Sequence, residues 1–478
     1  MPDPYGLQAL LSRQRRAFQQ HLPVPAAVRR DRLRRAAGLL IASRDRLCEA
    51  MNADFGCRPR LMSLTTDIAV AVRSLQDAAR HVARWMKPQR RELPFPLGML
   101  GCRGHVEFQP KGVVGIVAPW NYPVNLVFVP LAGVLAAGNR AMIKTSELAP
   151  ATGEVCRELI AAEFDGSEVA VVTGDATVAE AFTRLPFDHL LFTGSTQIGR
   201  AVMRAAAEHL VPVTLELGGK CPVIVGRSAD GTRVARAVAQ HKLMNAGQTC
   251  LAPDYVFLPR ERADALVADI VREAAAMYPR IVDNPDYTAV IDARHYTRLA
   301  GYLEDARALG AHVTLVNPAG DASEKLEGEC KLPLAIVRGA SDAMRVMQQE
   351  IFGPVLPVLE YDSIDEAIAH VNAHERPLAL YYFGHDAAEE RRVLDRTHSG
   401  GVTVNEMTFH CGAEDLPFGG VGASGMGAYH GVHGFREFSH ARAVYRQSRV
   451  DVSALGGMRP PYGDRLKKTI ERQLRVKV

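Results

Sequence analysis

From residue 113 onward the chain alternates short apolar runs with longer segments of helical periodicity. Residues 113–118, 141–144, 169–172 and 189–192 read as strands. Helices are expected from about Ala151, from about Thr177, and from Thr196 to about Leu210. A second alternation runs from about 213 to 410, with strands at 223–225, 255–258, 312–315, 334–337 and 402–404. Parallel strands need a long crossover between them, usually a helix, so this pattern predicts an α/β fold with parallel sheets covered by helices. Ahead of it, residues 5–22, 25–53 and 62–86 read as helices with few breakers, and the run Leu93-Pro94-Phe95-Pro96 ends them. Strands at 106–109 and 113–118 flank a Pro110-Lys111-Gly112 turn, and 318–330 is polar and reads as a loop. At 478 residues the chain exceeds one simple core, and length alone points to about three domains.

Composition excludes several classes. Net charge is +4, so no nucleic-acid footprint is implied. A local cluster of Arg13, Arg15, Arg16, Arg29, Arg30, Arg32, Arg34 and Arg35 alternates with Leu and Ala and reads as solvated faces of two helices. None of the eight cysteines forms a Cys-x-x-Cys pair, which disfavours zinc and dithiol chemistry, and no metal is expected. No charged-then-apolar leader opens the chain, so a reduced, cytoplasmic protein is expected. The most apolar stretch, 124–138, is shorter than the ~20 residues a membrane span needs, and no membrane partner is expected.

Chemistry concentrates in a few runs. Cys250 ends Asn245-Ala-Gly-Gln-Thr-Cys250, whose small and polar residues would let a carbonyl approach the sulfur. Upstream, Leu215-Glu216-Leu217-Gly218-Gly219-Lys220 offers a carboxylate beside two glycines. A thiol with a carboxylate base suggests covalent acyl chemistry; the alternative for any single cysteine is a small buried hydrophobe. Phe192-Thr-Gly194-Ser195-Thr196-Gln-Ile-Gly199 follows a strand and opens a helix, where backbone N–H groups and the helix dipole can hold a phosphate. Thr196 stands where the dinucleotide fingerprint has its second glycine, and a tight turn would also account for the run. Lys144 and Glu147 at a strand end could bind ribose hydroxyls, and a carboxylate there would repel a 2′-phosphate, leaning toward NAD over NADP. The alternative is a surface lysine and a glutamate stabilising a helix start.

Together these runs resemble the aldehyde dehydrogenase superfamily. The resemblance rests on Pro119-Trp120-Asn121-Tyr122-Pro123, Lys144-Thr-Ser-Glu147, Phe192-Thr-Gly-Ser195, Leu215-Glu-Leu-Gly-Gly-Lys220, Asn245-Ala-Gly-Gln-Thr-Cys250, Glu350-Ile-Phe-Gly-Pro354 and Pro417-Phe-Gly-Gly420, in that order. The runs Cys250-Leu-Ala-Pro-Asp-Tyr255 and Gly422-Ala-Ser-Gly-Met-Gly-Ala-Tyr-His430-Gly are similar to the class 3 branch, and within it to bacterial coniferyl aldehyde dehydrogenases. The resemblance implies Cys250 as nucleophile, Glu216 as base for deacylation, and the Asn121 amide with the Cys250 backbone N–H as oxyanion hole. It implies a cofactor, NAD with NADP possible, held by Lys144, Glu147, Gly194, Ser195, Gly199, Leu217, Glu350 and Phe352. Thr145 stands where the branch usually has Pro, and Glu406 where Asp is common.

The implied reaction is oxidation of an aldehyde, coniferyl or otherwise aromatic, to the carboxylate through a thiohemiacetal and a thioester. Medium-chain aliphatic aldehydes, CoA-acylating chemistry and a non-catalytic protein of the same fold are the alternatives. The implied architecture is a Rossmann-like coenzyme domain (1–93 and 112–217), an α/β catalytic domain (218–416), a return segment (417–434), a small β oligomerisation arm (94–111 and 435–448) and a tail (449–478). The strand pair flanking Pro110 carries few core-type residues and needs a partner, so a homodimer is expected. Trp120 is expected to pack beside Asn121. Tyr122, Phe409 and Phe418 are candidates for an aromatic tunnel or for plain core, and His410 for its border or for an ordinary hydrogen-bonded histidine.

Overall fold

A computed structural model describes residues 5–474. It contains three sheets. The first has six strands in the spatial order Gly425–Met426, Val213–Glu216, His189–Thr193, Val113–Val117, Arg140–Lys144, Val169–Val172. All but Gly425–Met426 are parallel. The chain moves outward from Val113–Val117 for two strands, then returns to its other side for two more. That reversal creates a switch point between Val113–Val117 and His189–Thr193, beyond whose carboxyl ends an open α/β sheet places its ligand. Every residue of Val113–Val117, Arg140–Lys144 and His189–Thr193 is buried, as expected for parallel strands covered on both faces.

The second sheet has seven strands in the order His312–Val316, Leu334–Arg338, Val355–Tyr361, Tyr255–Pro259, Pro222–Val225, Ala379–Phe383, Gly401–Val404. Only its first pair is antiparallel. The third is a small antiparallel ribbon in the order Gln89–Arg91, Arg103–Pro110, Ser439–Arg446. Near the centre lies the helix Asn125–Ala137, whose residues are buried almost all round. The helices Ala26–Ala42 and Ala69–Trp85 supply much of the apolar cluster packed on it. Among the described residues no helix is long and apolar enough to cross a membrane.

Several expectations are corrected. The 25–53 helix breaks at Ser43 into Ala26–Ala42 and Arg44–Phe55. The strands beside Pro110 do not pair with each other: the turn hands the chain from the small ribbon to the six-stranded sheet, and Arg103–Pro110 finds its partners in Gln89–Arg91 and Ser439–Arg446. Val213–Glu216, read as the start of the second alternation, belongs to the first sheet. The polar 318–330 segment contains a helix, Ser323–Gly328, pinned by buried Leu326. Arg29 and Arg32 are buried rather than solvated: Arg29 donates to the Ala136 and Ala137 carbonyls at 2.9 and 2.7 Å, capping the central helix, and Arg32 pairs with Glu168 at 2.7 Å. An arginine that meets a helix C-terminus satisfies carbonyls the helix itself leaves open.

Candidate active site

The carboxyl ends of the first sheet carry a row of polar side chains. Lys144 and Glu216 are the last residues of their strands, Ser195 follows His189–Thr193, and Asn121 follows Val113–Val117. Opposite them stand the amino ends of the second sheet. Gly218 to Lys220 lead into Pro222–Val225, Cys250 precedes Tyr255–Pro259, and Glu350 with Phe352 precedes Val355–Tyr361. A cleft of about 730 Å³ lies between these edges, lined by Asn121, Glu216 and Cys250 together with Gly194, Ser195, Leu217, Glu350 and Phe352. Three expected residues do not line it. Lys144 is buried and spends its ammonium on the Thr145 and Gly174 carbonyls, at 2.6 and 2.8 Å. Glu147 is exposed beyond it. Gly199 serves packing: a Cβ there would come within 2.7 Å of the Leu217 side chain, so the glycine lets the helix Thr196–Ala207 close onto Leu217.

The loop before Cys250 is held in an unusual shape. Asn245 and Ala246 both sit at φ 53° and Gly247 at φ 70°. Left-handed backbone costs a non-glycine residue about 1–3 kcal/mol, so the surroundings must over-determine it. They do. Gln248 donates to the Asn245 and Ala289 carbonyls and accepts from the Ile291 N–H, all at 2.9–3.0 Å. Lys242 donates to the Pro253 carbonyl at 2.8 Å, and Tyr122 and Thr249 share a hydroxyl bond of 2.8 Å. A Cβ on Gly247 would run into the Gly353 carbonyl.

Asn121 is tied to the same loop. Its amide donates to the Gln248 carbonyl at 3.1 Å, and its own carbonyl accepts from Asn245 at 3.1 Å and from Arg58 at 2.7 Å. A carboxamide NH₂ carries two hydrogens, and one bond leaves the second available. Arg58 was not anticipated. Its guanidinium also meets Asp67 at 2.6 Å, with both side chains fully buried, and Asp67 accepts the Val124 and Asn125 N–H groups that open the central helix. Asp67 lies in a wide helical turn, Ser63–Ile68. Nothing in a lone arginine followed by Pro-Arg signals this partnership.

Burial governs the titrating groups. Both Glu216 carboxyl oxygens lack a hydrogen-bond partner, and burial, with Glu437 nearby, raises its pKa well above the usual carboxylate range. Burial raises the Cys250 thiol well above its ordinary value, and Glu350, Cys221, Glu216 and Cys411 add to the rise. Glu350 is pushed up to about 8 by burial and by Asp254, with the Gly219 amide, Lys220 and Arg298 opposing. Lys220 pairs with Asp254 and donates to the Val346 and Gln349 carbonyls, while Asp254 accepts the Ile351 N–H at 2.9 Å. This network fixes the loop that carries Glu350.

Trp120 does more than pack beside Asn121. It lines the cleft, edge-on to Phe352 at 5.5 Å and to His295 at 5.3 Å. Tyr122 is buried beneath the cysteine loop, Phe418 stacks on His430 at 5.0 Å, and Phe409 is exposed. His410 is a hydrogen-bonded core histidine, 2.7 Å from the Thr403 hydroxyl and lowered by burial to about 4. The Cys221 sulfur is buried against the Cys250 carbonyl at 3.3 Å.

Residues 7–444 match the aldehyde dehydrogenase family. The coniferyl aldehyde dehydrogenase of Pseudomonas sp. (strain HR199 / DSM 7063) is 51% identical over 464 residues, covering 96% of this chain and 95% of that protein. A probable coniferyl aldehyde dehydrogenase of Caulobacter vibrioides is also 51% identical, over 98% of this chain and 96% of its own length. Among solved structures, the substrate-bound AldH of Staphylococcus aureus superposes with a TM-score of 0.91 at 33% identity, covering 98% of this chain and 99% of that one. An indole-3-acetaldehyde dehydrogenase of P. syringae, in complex with NAD+ and IAA, superposes with a TM-score of 0.84 at 26% identity, covering 92% of this chain and 89% of that one.

Proposed function

The chain belongs to the aldehyde dehydrogenase family, and on that footing we propose that Cys250, Glu216 and Asn121 carry out the NAD-dependent oxidation of coniferyl or another aromatic aldehyde to its carboxylate. One observation carries the assignment of roles: a thiol, an unpartnered carboxyl group and a free amide hydrogen meet on one cleft. The aromatic preference rests on the two relatives at 51% identity.

The same cleft suits a dinucleotide. The helix Thr196–Ala207 opens onto it, and the Ser195 hydroxyl accepts the Ile198 N–H, so the turn presents N–H groups suited to a pyrophosphate. Glu350 has a buried oxygen without a partner, suited to a ribose hydroxyl, and glycine at 218 leaves the space its carboxylate occupies. Glu147 and Lys144 lie outside the cleft lining, but a 2′-phosphate reaching that strand end would meet the Glu147 carboxylate, which favours NAD. Bound NAD supplies the hydride acceptor and a positive ring.

The chain supplies the rest. Cys250, as thiolate, attacks the aldehyde carbon, and the Asn121 amide and Cys250 N–H hold the resulting oxyanion. After oxidation the sulfur carries a thioester. Glu216, as carboxylate, takes a proton from the water that cleaves it, which returns the thiol and releases the acid. The cleft wall of Trp120 and Phe352 offers apolar cover from bulk water. We further assign 1–93 and 112–217 to the coenzyme domain, except that Gln89–Arg91 pairs into the ribbon of the arm, 218–416 to the catalytic domain, 417–434 to the return segment, 94–111 and 435–448 to the arm, and 449–478 to the tail. Residues 1–4 and 475–478 lie outside the described residues. A cytoplasmic location fits eight free cysteines. A homodimer fits the open edge of Ser439–Arg446, because an unpaired strand edge is a template for pairing.

The test is a steady-state panel of coniferaldehyde, benzaldehyde and octanal, each with NAD and NADP. The reading predicts the highest kcat/KM for coniferaldehyde with NAD and loss of all turnover in Cys250→Ala. A preference for octanal would overturn the aromatic assignment, and turnover in Cys250→Ala the mechanism.

A further inference from the structure

Beside the cleft, three side chains converge, two of which, Asp342 and His374, line it. His370 lies in the helix Ile364–Ala373, His374 caps its end, and Asp342 comes from the loop after Leu334–Arg338. One ligand atom from each lies within 4.8 Å of the other two. We infer that Asp342, His370 and His374 form a binding site for a divalent cation of the zinc type.

The hydrogen bonds of His374 support this. Its Nδ1 lies 2.7 Å from the His370 carbonyl, which can only accept, so Nδ1 holds a proton. A hydrogen bond of this kind, from the ring nitrogen that does not face the metal, fixes the tautomer of a metal-bound histidine. In the neutral ring Nε2 then carries a lone pair, and it faces the Asp342 carboxylate at 3.3 Å. Two acceptors at that distance need a shared cation, a proton or a metal. The separation already suits a metal: two ligands at ~2.1 Å in a tetrahedron stand roughly 3.4 Å apart. His370 lies beside His374 with ring centroids 4.3 Å apart and the rings tilted by 32°, and it meets Tyr255 and Phe257 edge-on at 5.6 and 5.2 Å. The fixed positive charge nearby, Lys220, is paired with Asp254. Two imidazoles one helical turn apart plus a carboxylate is a donor set suited to zinc, with an open position for water.

Asp342 and His374 also line the cleft, so an occupied site would place a cation on the wall of the proposed cofactor pocket. The metal proposal itself does not depend on the reaction assigned to Cys250.

The experiment is calorimetric titration of ZnCl₂ into the metal-free full-length chain, in the Cys250→Ala background to exclude binding at the reactive thiol. One saturable site is expected. His370→Ala, His374→Ala and Asp342→Asn should each weaken it by roughly tenfold or more at unchanged Tm, whereas His385→Ala, at an exposed histidine after Ala379–Phe383 that is not in the cluster, should leave it intact. Cobalt(II) should bind the same site and give the intense visible absorption of tetrahedral coordination. No saturable binding below millimolar zinc, or binding indifferent to the three substitutions, would overturn the proposal.

Discussion

Cys250 and Glu216 share one electrostatic difficulty. Burial holds each in its neutral form, and the ion of either would raise the cost of ionising the other. Cofactor-free protein should therefore react slowly with iodoacetamide at neutral pH, faster as pH rises beyond the ordinary thiol range, and faster when NAD brings positive charge to the cleft. Rapid labelling at pH 7 without NAD would contradict this. For Glu216 the folded-state pKa lies above the unfolded one, so its protonation stabilises the fold below the unfolded value. That stability is lost as pH rises through the folded value. Glu216→Gln should accordingly raise Tm in alkaline buffer, and this gain should vanish in acid; thermal unfolding across pH checks it. Asn121→Ala removes the donor proposed for the oxyanion and should lower kcat by about 10²–10³, read in steady-state assays. That Cys250 and Glu216 would share a site was legible in the sequence because their neighbours are distinctive, and both line one cleft. Arg58 was not, because its meaning comes from Asp67 and Asn121, which fold to it from separate segments.

The loops set the geometry that those residues use. The left-handed turn Asn245–Ala246–Gly247 and the wide helical turn Ser63–Ile68 are invisible to hydrophobic periodicity, since neither alters which residues are apolar. The strand-helix alternation was legible for the opposite reason: buried parallel strands read as continuous apolar runs. Val355–Tyr361 and Ala379–Phe383 lie outside the strands expected from the sequence although both are almost wholly buried, and in the first Pro357 and Glu360 interrupt the apolar run. Removing one partner of a buried ion pair strands the other charge, at a cost of about 3–5 kcal/mol. Asp67→Ala should therefore lose about that much stability in denaturant unfolding, and the folded remainder should show a lowered kcat as Arg58 loosens from Asn121. A substitution at Gly218 acts differently. A Cβ there collides with the Glu350 carboxylate, so Gly218→Ala should raise KM for NAD well before it affects the fold.

At the scale of the molecule, function follows from opposing two sheets end to end. The carboxyl edge of the first brings Asn121, Ser195 and Glu216, and the amino edge of the second brings Cys250 and Glu350. Sequence order could indicate two alternations but not that the second sheet would turn its amino end to the cleft. The small ribbon leaves the outer edge of Ser439–Arg446 open, and light scattering at micromolar concentration should give the mass of a dimer; a monomer would remove that assignment. In the proposed mechanism Cys250 carries the acyl group and Glu216 releases it. Its most direct measurement is the mass of acid-quenched Glu216→Gln protein after mixing with NAD and coniferaldehyde. One added feruloyl group is expected, mapped to the peptide bearing Cys250 and formed with a burst of NADH. A burst that leaves Cys250 unmodified, or an acyl group on another cysteine, would contradict it.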